Sequence, residues 1–78
     1  MELAEKQKIA QMCREYRVRN LPMITQYKLA DECGLIQTGI SYIETERWGK
    51  ISVAKITQLK EYLEKMQESE HENKDNVV

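Results

Sequence analysis

"TQYKLADECGLIQTGISYIE", residues Thr25 to Glu44, sets two short amphipathic runs on either side of one glycine. Thr25 offers a hydroxyl to the free amides of a first helical turn, so a helix begins beside it at Gln26. Leu29, Ala30 and Cys33 recur on one face of that helix, and Gly34 supplies the left-handed position that ends it. A second short helix follows over residues 37–46, with Ile40 and Ile43 turned inward. The helical period then turns Gln37, Thr38, Ser41, Tyr42 and Thr45 outward together. Such a glycine corner serves a plain helical bundle. It also serves a helix-turn-helix, whose second helix enters the DNA major groove.

Upstream, Ile9, Met12, Cys13 and Tyr16 recur at i, i+3, i+4 and i+7, the stripe of a helix over residues 3–19. Lys8, Gln11, Glu15 and Arg19 take its opposite face. "NLPMI" stops this helix, because Pro22 disfavours helix at Leu21 and cannot extend the hydrogen-bond ladder itself. Downstream, "TERWGK" reads as a loop in which Gly49 reverses the chain. Ser52 then caps a fourth helix over residues 53–66, with Val53, Ile56, Leu59, Leu63 and Met66 as its apolar stripe. From Gln67 onward apolar residues give out and like charges gather. The expectation is an all-α, small four-helix domain over residues 1–66 with a disordered acidic tail over 67–78.

The 78 residues leave room for one modest core, and three glycines and one proline make the composition helix-friendly. No stretch approaches the roughly 18 consecutive apolar residues of a membrane span, and "MELAEKQKIA" has no apolar signal core. A cytoplasmic protein with no membrane partner is expected. Cys13 and Cys33 are too few for a secreted disulfide framework, and with the single His71 they do not make a zinc ligand set. Both fall at apolar helix positions, where free Cys packs as a small hydrophobe. The net charge of −1 is unevenly spread. Residues 1–66 carry eleven Lys and Arg against nine Asp and Glu, a net +2, and residues 67–78 carry a net −3. A mildly basic body permits nucleic-acid binding without demanding it.

In fixed register the opening stretch resembles the Cro and lambda-repressor-like (Xre-type) helix-turn-helix regulators. The matching residues are Gln26, Leu29–Ala30, Gly34, Leu35, Ile40–Ser41 and Ile43–Glu44, with a looser likeness from Ile9 to Leu63. The resemblance implies a bidentate ion pair between Arg17 and Glu44 that ties the first helix to the third. It also implies that Gln37, Thr38 and Tyr42 face bases and that Gln26 bonds phosphate at a helix N-terminus. Three features depart from the family pattern. "VRNLPMI" is about two residues longer than the usual connection, Ile36 replaces the usual Ser or Thr cap, and the acidic tail stands where a fifth, dimerising helix is usual.

The outer face suits a major groove chemically. Gln37 can pair with adenine N6 and N7, Thr38 can touch a thymine methyl or accept a hydrogen bond, and Ser41 offers a hydroxyl; such contacts discriminate by about 1–3 kcal/mol each. Tyr42 can meet thymine methyls or a phosphate. Arg19, Lys28, Arg47 and Lys50 join Gln26 as candidate phosphate contacts, which position a protein without reading sequence; each has an ordinary solvated charge as its alternative. Gly39 serves close approach either to DNA or to the second helix. Trp48 either covers the end of the core or lies against a backbone or partner.

The expected function is a sequence-specific transcription regulator of phage or mobile-element type, repressor- or Cro-like, dimeric on a double-stranded DNA operator. The alternative is a protein-interaction module of the same fold that binds a partner repressor or toxin, favoured by the weak charge, acidic tail and absent fifth helix. No nucleophile–base pair, metal constellation or phosphate loop is present in the sequence, so no enzyme activity, metal or cofactor is expected.

Overall fold

Each helix starts and stops where a particular residue makes the backbone change course. In the computed structural model the elements are α1 (Leu3–Arg19), α2 (Gln26–Cys33), α3 (Gln37–Glu44), a 3-10 turn (Trp48–Lys50) and α4 (Val53–Val77). The structure describes the backbone of residues 1–20 and 22–77, and the side chains among these as far as residue 67. No strand occurs among the described residues.

Thr25 caps α2 as expected, its hydroxyl accepting the Lys28 amide at 3.1 Å. Gly34 ends α2 at φ +76°, where glycine escapes the Cβ penalty of the left-handed region. The same glycine lets Gln58 approach from α4 and donate to the Cys33 carbonyl at 2.5 Å. A Cβ at position 34 would stand only 2.9 Å from that amide nitrogen. The corner is therefore closed by the backbone and by α4 together.

Backbone and side-chain hydrogen bonds hold the connection between α1 and α2. Ile24 donates its amide to the Arg17 carbonyl at 3.0 Å, and Arg17 Nε returns a bond to the Ile24 carbonyl at 3.0 Å. Asn20 caps the end of α1 by donating to the Tyr16 carbonyl at 2.6 Å. These bonds tie the connection back onto the end of α1.

Two helix ends and two residue roles differ from the sequence expectation. α3 ends at Glu44, two residues early, because Arg47 turns its amide back to the Tyr42 carbonyl at 2.8 Å. The reversal that follows uses Glu46 at φ 60°, not Gly49, which does not adopt positive φ. Val53 is 49% exposed, because it lies in the first turn of α4, ahead of the buried stripe. The backbone of α4 continues to Val77, past the helix end expected at residue 66. The lack of any glycine or proline after Gly49 is the local reason a helix can persist there; the acidic tail's side chains lie outside the described residues.

One core unites all four helices. Ile9, Ala10 and Cys13 from α1 meet Leu29, Ala30 and Cys33 from α2, Ile40 and Ile43 from α3, and Ile56, Leu59 and Leu63 from α4, with Ile24 closing one side. Each fully buried Ile or Leu stabilises by about 1.5–3 kcal/mol, so this set is the main source of stability. Both cysteines are free and buried, as expected of small apolar side chains. α3 packs on α1, α2 and the 3-10 turn, and the arc it turns away from them is exposed at Thr38 and partly exposed at Gln37, Ser41 and Tyr42. Among the described residues no helix is long and apolar enough to cross a membrane, and no cluster of three metal-ligating side chains occurs.

Candidate functional site

Glu44, the last residue of α3, is the hub from which the site is built. Its side chain is 8% exposed and that of Arg17 is 16% exposed, so the pair is largely withdrawn from water. Arg17 Nη1 reaches both carboxylate oxygens, at 2.5 and 2.7 Å. The contact uses one nitrogen on both oxygens, not the two-nitrogen fork implied by the family resemblance, while Nε donates to Ile24. Two further donors meet the same carboxylate. Gln26 Nε2 lies 2.9 Å from Oε1, and Cys13 Sγ lies 3.1 Å from Oε2.

These donors decide the ionisation of the hub. Burial alone would raise the Glu44 pKa, but the bonds from Arg17, Gln26 and Cys13 outweigh it and hold the carboxyl below its ordinary value. The Cys13 thiol moves the other way, raised by its burial and then by its bond to the carboxylate. It therefore stays a protonated donor. Arg14 adds a fifth contact from α1, donating to the Glu44 carbonyl at 2.6 Å and so satisfying one orphan carbonyl at the α3 C-terminus.

A carboxylate can only accept, so Gln26 must turn its amide nitrogen toward Glu44. Its oxygen then points the other way, where it accepts from Gln37 Nε2 at 2.7 Å. Gln37 is thereby oriented in turn, with its oxygen and one remaining N–H left for another group. A single line of hydrogen bonds runs from α1 through the hub to the first residue of α3. Gln26 is thus an internal link first, with one N–H left over for the phosphate contact expected of it.

Along α3 the outer arc has two edges. Gln37, half-buried, forms the edge beside α2, and Tyr42, half-buried, forms the edge beside the 3-10 turn. Thr38 is exposed between them with Ser41 partly exposed, while Thr45 spends its hydroxyl proton on the Ser41 carbonyl at 2.7 Å. The four expected base-facing residues therefore share one surface of the helix. The expected phosphate contacts are more scattered. Arg47 and Lys50 are exposed in the segment following α3, Lys28 is exposed on α2, and Arg19 ends α1 with Glu15 at 3.8 Å.

Two residues left open by the sequence find structural roles. Gly39 is buried, and a Cβ there would meet neither α2 nor open space but Ile51 Cδ1 at 3.5 Å, an ordinary contact distance. Trp48 is half-buried against the core, and Lys6 Nζ lies 6.0 Å from its ring centroid. It closes the end of the core. Arg14 and the Cys13 thiol were not legible as hub contacts, since one looks like a solvated charge and the other like core. Cys13 does fall four residues before Arg17, one turn along the same helix face, which is the available signal.

No protein-family model, curated protein or solved structure matches the chain.

Proposed function

We propose that the chain is a sequence-specific DNA-binding regulator in which α2, the Gly34 corner and α3 form a helix-turn-helix. The observation that carries this reading is the line of hydrogen bonds ending at Gln37. It fixes the half-buried amide at the start of α3 with an acceptor and a donor still available, the pair that adenine N6 and N7 require. Thr38, Ser41 and Tyr42 extend the same outward surface, and Arg47 and Lys50 follow it in the chain as cations suited to phosphate. Fixing the amide in advance lowers the ordering cost of a base contact. The operator is double-stranded DNA and the working form is a homodimer.

A second reading rests on a separate surface. Tyr27 is 73% exposed and Met23 55% exposed beside the start of α2, and the chain's net charge is only −1. A protein-interaction module that binds a repressor or toxin would use such exposed apolar groups.

Titration with mixed-sequence duplex DNA at low and moderate salt, beside a size measurement, separates the two. The DNA reading predicts binding that weakens steeply with salt. Absence of binding at low salt, with the protein folded, contradicts it and favours the partner reading.

A further inference from the structure

Ile36 neither caps nor packs. It occupies the N-cap position of α3, with φ −105° and ψ 156°, where a Ser, Thr, Asn or Asp would accept an amide of the first turn. It makes no side-chain cap bond, and it is 66% exposed. With Gly39, Tyr42 and Ile51 it borders a cleft of about 140 Å³, with Lys50 and Lys55 also lining it. That volume is far below the roughly 300–1,000 Å³ of small-molecule pockets, so the cleft suits a chemical group rather than a whole ligand. No acidic residue lines it. The cleft thus pairs an apolar notch with two cations, which matches a small apolar group carried next to anions.

We infer that Ile36 and this cleft read a thymine, whose 5-methyl group seats against Ile36 beside Gly39 and Tyr42 while Lys50 and Lys55 meet neighbouring phosphates. The inference rests on the DNA-binding reading and deepens it. Residues at the N-terminal end of a groove-inserted helix are the ones that reach base edges. The thymine methyl is the apolar feature of the major-groove edge, and apolar side chains are its partners. Gly39 keeps the notch open, since a side chain at that position would project toward Ile51 across it. The lost cap is the cost of placing an apolar group at the reading end of the helix.

The test uses the full chain and a duplex selected from random DNA. Each thymine is replaced in turn by deoxyuridine, which removes the methyl group and nothing else. The parent should lose about fourfold in affinity at one thymine per half-site, the worth of one buried methyl group. Ile36→Ser should bind the thymine and uracil duplexes alike, and its Tm should rise because the cap is restored. A parent indifferent to every exchange, or an Ile36→Ser protein that keeps the discrimination, overturns the inference and leaves DNA binding standing. Failure to enrich any sequence overturns both.

Discussion

Glu44 shows how one residue carries architecture and site together. Removing Arg17 would leave a carboxylate that is 8% exposed without its cation, so Arg17→Ala should destabilise by on the order of 3 kcal/mol. The pH dependence has a definite sign. Glu44 is held below its ordinary value of 4.5 in the folded chain, so on acidification the unfolded chain takes up this proton first. Its stabilisation is complete above about pH 4.5 and is lost as pH falls through the folded value. Urea midpoints followed from pH 7 to pH 3 should therefore fall on the acid side, and Glu44→Gln should flatten that limb. An unchanged acid limb in the variant would contradict the hub. Gly39→Ala tests a smaller point. Its Cβ would meet only Ile51 at ordinary contact distance, so a better helix former should raise stability by about 0.5–1 kcal/mol. A lower Tm would mean the glycine is needed for more than the cleft.

At the scale of elements, much was legible because local signals agreed. The stripe Ile9–Met12–Cys13–Tyr16 placed α1, Thr25 placed the start of α2 and Gly34 its end, and the structure bears out each. Misreadings came where no local signal exists. Nothing in "TERWGK" tells that Glu46 rather than Gly49 takes positive φ, because glycine tolerates the strained region without being required there. The end of α4 was misplaced because apolar patterning stops at Met66 while helix-compatible residues continue. The Gln26–Gln37 bond spans eleven positions and depends on how α2 meets α3 across the corner, which no spacing rule supplies.

That bond also makes Gln26 a positioning residue for α3. Gln26→Ala should weaken binding to a specific duplex more than to mixed DNA, because Gln37 loses its fixed orientation. Equal losses on both would reduce Gln26 to a phosphate contact. Lys50→Ala should instead weaken both alike and lower the slope of log K against log salt by about one. A change confined to one sequence would give Lys50 a base-reading role.

At the scale of the molecule, every other element braces α3 or its corner and leaves its outer arc partly open. α1 and α2 hold its inner face, Trp48 closes the core end, and α4 braces the corner through Gln58. In a dimer on DNA, two copies of α3 should lie about 34 Å apart and face successive major grooves on one side of the duplex. The most direct measurement is selection of a duplex from random DNA, followed by binding of proteins changed singly at Gln37, Thr38 and Tyr42. A groove-reading α3 should give one enriched, two-fold-related sequence and a loss of about 1–3 kcal/mol for Gln37→Ala, confined to one base pair of each half-site. Enrichment of no sequence, or three variants that bind the selected duplex like the parent, would contradict a groove-reading α3.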